Sequence, residues 1–463
     1  MSADSAPGQT GQRGKIMKFY GREDELQALR KLLSDACGGK GSRMACVYGR
    51  RRVGKTTLVL KALESADIPV FNFFASRRYS AASLTRSWLA RICEAYGVRR
   101  APAVSSPADA IAYAMELSED KPCAVFIDEC QELSAAVPEF WSELQHAWDL
   151  NKDRSRVFLV FSGSIVSALE KLFGSESEPL FGRLDCQILL RPFPTRVVRQ
   201  IFLEESGGSD PADLLFTYAA TGGVARYLEL LSQAGAMTAQ GGVRYIFSPE
   251  GEWLRSEGAL YLSNEFRAEA PAYTDILRAI SMGRTKWAEI QAGCEETISP
   301  YMKRLEDFRI LKRIQPAFEK KSARQVRYGI ADPFFRLWLR FIDPQTERAL
   351  AEAGRWGELQ ARVLTDLPAF LGRTLEEWFR RAALEDGPWT EAGSWWDRRG
   401  ENEIDLVAAD TVRKRLLFGE AKLSPDKYSE AKLRLKAERF LESNPRFASW
   451  PLEFRGLFPS GML

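Results

Sequence analysis

Residues 49–56, with the sequence Gly-Arg-Arg-Arg-Val-Gly-Lys-Thr, constrain the fold of this chain more than any other segment. They fit the pattern G-x-x-x-x-G-K-[ST] at every position. A short apolar run at 44–48 precedes them and predicts a strand, whereas residues 57–63 predict a helix. A strand, a glycine-containing loop and a helix start are what a phosphate-binding loop requires, so we predict such a loop here.

Each residue type in this loop has a physical role in holding phosphate. Gly49 and Gly54 let the backbone close around an anion without Cβ clashes, so that successive N–H groups point inward. Lys55 would reach the β- and γ-phosphates, and the hydroxyl of Thr56 would ligate Mg²⁺. The predicted nucleotide-binding set also includes Thr57, and the expected cofactors are ATP and Mg²⁺. The alternative is a chance match on a helix start.

The length and composition of the chain indicate a multidomain globular protein. At 463 residues it is too long for a single hydrophobic core, so two to four domains are expected. Its 45% hydrophobic and 27% charged residues are typical of soluble globular proteins. No apolar run approaches the ~18 residues of a membrane span, so no membrane partner is expected. Residues 1–16 lack the apolar stretch of a signal peptide, which predicts a disordered tail and a cytoplasmic protein.

The counts of histidine and cysteine limit the chemistry open to this chain. Its single histidine, His146, disfavours a Ser-His-Asp triad. The seven cysteines are scattered and form no C-x-x-C pair, so neither a disulfide framework nor a zinc site is expected. Catalysis must then come from carboxylates, lysines and metal ions. The net charge of +3 does not by itself indicate nucleic-acid binding, so local charge clusters have to be considered.

Apolar runs alternate with helical patterns through the first part of the chain and predict an α/β fold. Nearly continuous apolar runs are typical of a parallel sheet that helices cover on both faces. The predicted strands are 44–48, 69–74, 123–127, 157–161 and 186–190, and the main helices between them are 80–96, 107–118 and 137–150.

Polar residues at the ends of two of these strands complete the predicted nucleotide site. Asp128 follows a buried strand and can hold Mg²⁺ through water, and Glu129 can polarise the attacking water. Ser164, at the end of the next strand, would lie near the γ-phosphate, although a simple turn is an equal alternative. Arg183 is a candidate cation for phosphate, in cis or toward a neighbouring subunit; an ordinary surface arginine is the alternative.

Four segments together resemble the archaeal-type ATPases of the STAND branch of AAA+-like P-loop NTPases, which also occur in bacteria. They are Phe-Tyr-Gly-Arg-Glu-Asp-Glu-Leu at 19–26, the loop at 49–56, Phe-Ile-Asp-Glu at 126–129 and Phe-Ser-Gly-Ser at 161–164. The resemblance implies that Tyr20, Gly21 and Arg22 lie near the adenine. It also implies that a helical lid begins at 221–223. Relatives usually carry a proline soon after these glycines, at the position where this chain has Ala225.

Residues 269–343 have the pattern of a winged helix. Helical segments at 272–282, 286–292 and 297–305 precede two predicted hairpin strands, and we expect Ser299 to cap the third helix with Pro300 in its first turn. Residues 300–327 contain nine Lys or Arg against three acids. A helix in a groove with a basic wing on the backbone is a DNA-docking geometry, whereas packing against neighbouring domains is the alternative. The residues expected to contact duplex DNA are Lys303, Arg304, Lys320, Lys321 and Arg324.

A cluster of carboxylates near the carboxyl end suggests a second site. Glu420 and Lys422 share one face of a predicted strand, and a hairpin could bring Asp405 beside them. Two carboxylates can bind Mg²⁺ while a lysine positions water or stabilises developing phosphate charge. A charged edge hairpin is the alternative. The pattern resembles the PD-(D/E)XK nuclease fold, and Glu376 matches the helical acid of that pattern. A basic helix at 426–441 would follow a nucleic-acid backbone or form a solvated face.

The sequence therefore predicts an ATP-hydrolysing switch coupled to a metal-dependent nuclease-like domain that acts on DNA. The alternative is a regulatory ATPase whose carboxyl-terminal domain only binds nucleic acid or protein. The predicted divisions are a tail (1–16), a P-loop ATPase core (17–195), a helical lid (196–268), a winged helix (269–343) and a nuclease-like domain (344–463). Candidate partners are nucleotide, duplex DNA, and a second copy or another protein.

Overall fold

The structure of the protein is a computed structural model that describes residues 17–266, 270–319 and 325–463. The predicted tail at 1–16 lies outside the described residues. The described residues form two compact units: Tyr20–Pro192, and Phe193–Leu463 together with 17–19. All seven cysteines lie in the described part and are free thiols, as the sequence indicated. None of the described helices combines the length and the apolar character needed to cross a bilayer.

The unit Tyr20–Pro192 is built on a five-stranded sheet in which every pairing is parallel. The strand order is β2-β3-β4-β1-β5. The strands are β1 (Arg43–Tyr48), β2 (Val70–Phe74), β3 (Cys123–Asp128), β4 (Val157–Gly163) and β5 (Cys186–Leu189). The helices are α1 (Glu23–Cys37), α2 (Lys55–Leu63), α3 (Ala81–Tyr96), α4 (Pro107–Leu117), α5 (Leu133–Ala136), α6 (Phe140–Asn151) and α7 (Val166–Gly174). All five predicted strands and the three predicted helices between them are confirmed, with ends shifted by at most three residues.

Helices cover both faces of this sheet, as the apolar runs predicted. Alternate residues of β1 point to opposite faces: Met44 and Cys46 pack in the core on the side of α3, α4 and α6, and Ala45 and Val47 pack on the side of α1 and α2. Strands buried on both faces read as continuous apolar runs rather than as an alternating pattern, because no position faces water.

The second unit begins with helices and a two-stranded hairpin. The helices are α8 (Thr195–Glu205), α9 (Pro211–Thr221), α10 (Ala225–Gln233), α11 (Ala239–Ile246), α12 (Glu252–Phe266), α13 (Ala270–Ser281), α14 (Trp287–Gln291), α15 (Ser299–Asp307) and α16 (Pro333–Phe341). The antiparallel hairpin is β6 (Leu311–Ile314) with β7 (Arg327–Ile330), as expected. The predicted cap at Ser299 is wrong: Ser299 is itself the first helical residue, and an N-cap residue must lie outside the helix.

The carboxyl-terminal region is a four-stranded sheet between two helices. Its helices are α17 (Gln345–Glu352), α18 (Trp356–Glu385) and α19 (Glu430–Ser443). Its strands are β8 (Glu391–Trp396), β9 (Glu403–Asp410), β10 (Arg415–Ala421) and β11 (Leu452–Leu457), in the order β11-β10-β9-β8. The β8–β9 and β9–β10 pairs are antiparallel, and β11 lies parallel to β10. The sequence predicted only the two hairpin strands β9 and β10 in this region, and it missed β8 and the parallel edge strand β11.

The two faces of this sheet pack against different helices. Leu416 and Phe418 of β10 pack with Leu433, Ala437 and Phe440 of α19. Leu417, between them in the strand, packs on the opposite face with residues such as Phe379 of α18. Because side chains alternate along a strand, Glu420 lies on the same face as Leu416 and Phe418, which is the α19 face.

Candidate functional sites

The loop between β1 and α2 has the conformation that phosphate binding requires. Gly54 precedes α2 in a left-handed conformation with φ 100°, and Gly49 has φ 153°. A Cβ atom on Gly49 would lie 2.2 Å from the carbonyl oxygen of Leu190, so no other residue fits there. Both glycines of the motif are therefore needed by the backbone itself.

Lys55 lies at the first position of α2 and turns back over the loop. Its ammonium donates to the carbonyl oxygens of Gly49 at 2.9 Å and Arg50 at 3.1 Å. Burial lowers the pKa of Lys55, and the carboxylates of Glu129 and Asp128 partly offset that shift. A cation held at the mouth of the loop, in the field of two acids, can exchange its carbonyl partners for phosphate oxygens.

Thr56, Asp128 and Ser162 form a hydrogen-bonded group at the carboxyl edge of the sheet. The hydroxyl of Thr56 donates to Asp128 Oδ2 at 2.7 Å, and the hydroxyl of Ser162 donates to Asp128 Oδ1. Strand β4 lies between β1 and β3, so Ser162 fills the gap between the loop and the acid. A hydroxyl and a carboxylate that meet in this way fit a magnesium ion, which takes oxygen ligands and keeps several waters. Thr57 is exposed on α2.

Glu129 is held by two neighbouring side chains. Its Oε2 accepts hydrogen bonds from Gln131 Nε2 at 2.5 Å and from Ser164 Oγ at 2.9 Å. Its backbone has φ 52°, an uncommon left-handed conformation for a residue other than glycine. Such strain persists where the surrounding contacts enforce it, and functional sites often contain it. The arrangement presets the Glu129 carboxylate rather than leaving it free in solvent.

Gln131 was missed by the sequence reasoning. Its side chain is buried, and a Cβ on Gly163 would lie 2.1 Å from Gln131 Oε1. Gly163 in the Ser-Gly-Ser turn therefore makes room for Gln131. No local sequence pattern predicts the contact between Gly163 and Gln131, because the two residues lie at the ends of different strands.

The segment that the resemblance assigns to adenine lies at the base of the loop. Tyr20 is buried, Gly21 has φ 55°, and the guanidinium of Arg22 donates to the carbonyl oxygen of Arg191 at 2.5 Å. Arg191 directly follows the residue that abuts Gly49. Burial lowers the pKa of Arg22, and Glu25 opposes that shift.

Arg183 is held away from the phosphate loop by its own neighbours. Its guanidinium forms two hydrogen bonds with Asp149, at 2.9 and 2.7 Å, and donates to the carbonyls of Pro179 and Phe181. Among its hydrogen-bond partners in the described chain, none belongs to the loop. The structure therefore favours a local ion pair for Arg183 over the phosphate contact considered from the sequence.

The glycines predicted to begin the helical lid form a tight turn within the second unit. Gly222 and Gly223 adopt φ of 59° and 77°, and this turn joins α9 to α10, which begins at Ala225. A Cβ on Gly222 would lie 2.9 Å from Pro333, and one on Gly223 would lie 2.7 Å from the carbonyl oxygen of Phe193. The glycine pair is thus explained by close packing alone.

The carboxyl-terminal sheet brings together the acids and the lysine that the sequence singled out. Gly419 pairs with Leu406 across β10 and β9, so Glu420 and Asp405 follow as the next opposed positions. Asp405 Oδ2 accepts from the backbone N–H of Ala421 at 2.9 Å. Glu420 Oε1 accepts from the ammonium of Lys422 at 3.0 Å. Burial alone would raise the pKa of Glu420, but Lys422 and Lys436 hold it below its ordinary value.

Glu376 joins this group from α18. Burial raises its pKa, and the nearby charge of Asp405 raises it further; burial also raises the pKa of Asp405. Arg380 donates to Glu376 Oε2 at 3.4 Å and to the backbone carbonyl of Asp405 at 2.8 Å. A cation relieves a buried pair of like charges, and the carboxylates of Asp405 and Glu420, with Glu376 nearby, are of the type that a divalent ion binds. Nevertheless, no three His, Cys, Asp or Glu side chains in the described ranges are already arranged as a metal-binding group.

The flanks of the expected basic wing pack on the carboxyl-terminal domain. The N–H of Ala317 donates to the carbonyl of Ser394 at 2.8 Å, and Glu319 Oε1 accepts from Trp395 Nε1 at 3.0 Å. On the other flank, Arg327 pairs with Glu403 at 3.0 Å and stacks 4.1 Å from the ring centre of Trp396. These contacts fit the alternative, in which this region packs against a neighbouring domain. Lys320, Lys321 and Arg324 lie outside the described residues.

The third helix of the same region exposes both of the basic residues proposed for DNA. Lys303 and Arg304 are exposed on α15, and Arg304 also lies 5.7 Å from the ring centre of Phe266 and 6.0 Å from that of Tyr273. Part of the Arg304 side chain is thus used for packing, and Lys303 is the cleaner probe of a nucleic-acid contact.

Comparisons with known proteins agree with the amino-terminal site. Residues 19–231 match a family described as an ATPase domain predominantly from Archaea, and residues 338–433 match a family of archaeal and bacterial proteins of unknown function. An uncharacterized protein of Methanocaldococcus jannaschii is 26% identical over 421 residues, which cover 87% of each chain.

Solved structures are similar over most of the chain. The Walker-type ATPase of Pyrococcus abyssi matches with a TM-score of 0.52 and 20% identity, over 71% of this chain and 99% of that one. The ORC2 protein of Aeropyrum pernix matches with a TM-score of 0.44 and 16% identity, over 77% and 97%. The first likeness shows a shared fold. The chain therefore contains a P-loop ATPase domain: residues 19–231 match the predominantly archaeal type, and residues 338–433 match a family of unknown function.

Proposed function

We propose that this ATPase uses bound nucleotide to control a metal-dependent phosphodiesterase site in its carboxyl-terminal domain, with DNA as the substrate. The observation that carries the proposal is the convergence of Asp405, Glu420 and Lys422 on one end of a sheet, with Glu376 beside them. With one histidine in the whole chain, carboxylates, a lysine and a metal ion are the means available for hydrolysing a phosphodiester.

The residues of this site would have separate roles in metal binding and in catalysis. Asp405 and Glu420 would hold the divalent ion, which when bound would polarise the phosphate and lower the pKa of a coordinated water. Lys422 would donate to the attacking water or to a phosphate oxygen in the transition state. Water would add across the P–O bond, so that the phosphate keeps the water oxygen and the leaving sugar oxygen takes a proton. Glu376 would support the site from α18.

Helix α18 supports the idea that the ATPase could act on this site. Arg381 of this helix donates to the carbonyl of Phe193 at 2.9 Å, and Glu385 accepts from the N–H of Thr195 at 2.7 Å at the start of α8. Phe193 is the first residue after the unit Tyr20–Pro192, which contains the phosphate loop. A displacement of this segment would therefore be passed to the helix that presents Glu376.

The same helix is anchored to the hairpin and to α16. Glu377, one residue after Glu376, pairs with Lys312 at 2.7 Å and with Arg336 at 2.9 Å. Burial alone would raise the pKa of Glu377, but these two cations lower it to about 2. The carboxylate therefore stays ionised and fixes α18 to both elements.

A cleavage assay tests the proposal. Single-stranded and double-stranded DNA and RNA would be incubated with Mg²⁺ or Mn²⁺, with and without ATP. We expect metal-dependent cleavage of DNA that nucleotide changes. Absence of cleavage under all these conditions would favour the alternative, a regulatory ATPase whose carboxyl-terminal domain only binds nucleic acid or protein. Lys422 and Lys436 already pair with Glu420, and a site that keeps these ion pairs in place of a metal ion would fit that alternative.

Asp405→Asn should weaken binding of Mn²⁺ by at least about tenfold, because a hard cation prefers a charged oxygen ligand. Lys422→Ala should retain the metal and lose turnover. Isothermal titration with Mn²⁺ measures the first effect, and the cleavage assay measures the second. Asp426→Asn is the matched control, because Asp426 is exposed outside the sheet. Equal Mn²⁺ affinity in Asp405→Asn and the parent protein would contradict the assignment.

Reversing Lys303, Lys320 and Lys321 to glutamate should weaken duplex DNA binding and flatten its salt dependence. Each lysine that no longer binds a phosphate should reduce the salt slope by about one unit, because fewer counterions are released. Arg304 and Arg324 belong to the same predicted surface. Fluorescence anisotropy of a labelled duplex over a salt series measures both quantities.

The matched control for this experiment is Lys31→Glu, at an exposed lysine on α1. It changes charge in the ATPase unit and should leave the salt slope unaltered. Unchanged affinity and salt slope in the triple variant would show that the region does not contact DNA.

A further inference from the structure

Glu420 has two ammonium groups on a single carboxylate oxygen. Lys422 Nζ lies 3.0 Å from Glu420 Oε1, and Lys436 Nζ lies 3.3 Å from the same atom. The side chains are only 30% and 27% exposed for the lysines and 13% for the glutamate. Asp405 also faces Lys422, so two carboxylates balance the two lysines, and a divalent cation held by the carboxylates would give this partly buried place an excess positive charge. Such an excess favours an anion.

The structure distinguishes Lys436 from the other basic residues of α19. Arg434 pairs with Glu430 at 2.7 Å and stacks 4.1 Å from the ring centre of Phe454, and Arg439 pairs with Glu442 at 3.1 Å, so each arginine has a carboxylate of its own. Lys436 instead reaches the sheet, next to the buried Ala437, and shares the face of Glu420. From the sequence alone, all five basic residues of this segment had equal weight.

A buried tyrosine hydroxyl is the second, independent observation. The hydroxyl oxygen of Tyr428 is buried and has no hydrogen-bond partner in the described structure. A buried hydroxyl without a partner is destabilising, so a site that keeps one usually offers it to a ligand or water. Burial raises the pKa of this tyrosine, as do the charges of Glu430 and Glu420, so the group remains a donor.

The sheet places this tyrosine next to Glu420, the residue that both lysines contact. Gly456 of β11 is the register partner of Glu420 in β10. A Cβ on Gly456 would lie 3.1 Å from Tyr428 Cδ1 and 2.3 Å from Phe458 Cζ. The absence of a side chain at Gly456 thus lets the two aromatic rings pack over the strand position next to Glu420.

We propose that Lys422, Lys436 and Tyr428 form a subsite for one phosphate of a nucleic-acid backbone, next to the Asp405–Glu420 carboxylates. Two lysines and a hydroxyl provide separate donors that suit tetrahedral phosphate oxygens, with lysine acting as a point charge. When a divalent cation takes the Glu420 carboxylate, both ammonium groups lose their partner and turn to the phosphate. Cation and phosphate therefore strengthen each other's binding, and this coupling is reciprocal. The choice of ligand rests on the proposed function.

Binding without cleavage tests the subsite. A labelled single-stranded oligonucleotide would be titrated in Ca²⁺ and, separately, in EDTA, with fluorescence anisotropy as the readout. Lys436→Met should weaken binding in Ca²⁺ by about tenfold, and Tyr428→Phe should weaken it by about threefold, the range expected for the loss of one hydrogen bond. Lys414→Met is the matched control, because Lys414 lies in the turn at the opposite end of β10. It should change affinity less than about twofold.

Thermal unfolding separates this role from a structural one. The Tyr428 hydroxyl has no partner to lose, so Tyr428→Phe should not lower the Tm while it weakens oligonucleotide binding. Equal affinities for the parent protein, Lys436→Met and Tyr428→Phe would overturn the subsite, as would equal losses in Lys436→Met and Lys414→Met. Loss of the advantage of Ca²⁺ over EDTA in Lys436→Met is expected, and its full retention would overturn the coupling.

The outcomes distinguish this inference from the proposed function. Oligonucleotide binding that depends on Lys436 and Tyr428 in a protein that never cleaves would contradict the phosphodiesterase and leave the subsite standing. Full cleavage by both variants would contradict the subsite and leave the phosphodiesterase standing.

Discussion

Lys55→Ala should weaken ATP·Mg²⁺ binding by at least about a hundredfold, because charge-assisted hydrogen bonds to phosphate are among the strongest in proteins. Lys55 is the buried cation at the mouth of the loop, and in this structure its ammonium rests on the carbonyls of Gly49 and Arg50. Alanine would leave the β- and γ-phosphates without this cation. Isothermal titration calorimetry with ATP and Mg²⁺ measures the effect.

Two further variants make the Lys55 result interpretable. Lys61→Ala removes an exposed lysine from the same helix, where it pairs with Glu64, and should leave ATP affinity unchanged. Lys55→Met keeps most of the side-chain volume, so it separates loss of charge from collapse of the loop. If Lys55→Ala binds ATP as tightly as the parent protein, the nucleotide site has been assigned to the wrong loop.

Glu129→Gln should keep ATP binding and slow hydrolysis by about 10²–10⁴-fold, the usual contribution of a general base. The glutamine oxygen can still accept from Gln131 and Ser164, so the side chain should stay in place. The amide cannot take a proton from the attacking water. Asp128 and Thr56 remain to hold the metal ion. Steady-state phosphate release measures hydrolysis, and calorimetry on the same sample measures ATP binding.

The control for this variant is Glu139→Gln, an exposed glutamate just before α6. It makes the same chemical change outside the site and should hydrolyse ATP at the parent rate. Unchanged hydrolysis in Glu129→Gln would mean that another group activates the water. Loss of ATP binding would instead mean that Glu129 supports the site structurally.

The ATPase fold and the conformation of its candidate phosphate loop could be predicted from the sequence. Apolar runs that are continuous rather than alternating can only be buried on both faces, so the parallel sheet and its helical layers were predictable. The phosphate loop is a local structure whose glycines and lysine lie within eight residues. Asp405, Glu420 and Lys422 could also be predicted, because strand periodicity and a short hairpin fix which side chains share a face.

Only the folded chain shows which residues from distant segments complete these sites. Gly163, from another strand, leaves the space that Gln131 fills beside Glu129, and Lys436 reaches Glu420 because α19 packs on that face of the sheet. Arg183 pairs with Asp149, a contact between different segments that no local sequence pattern predicted. Local patterns encode backbone conformation and burial, whereas the partner of a long polar side chain depends on which segments pack together, and that is set by the whole fold.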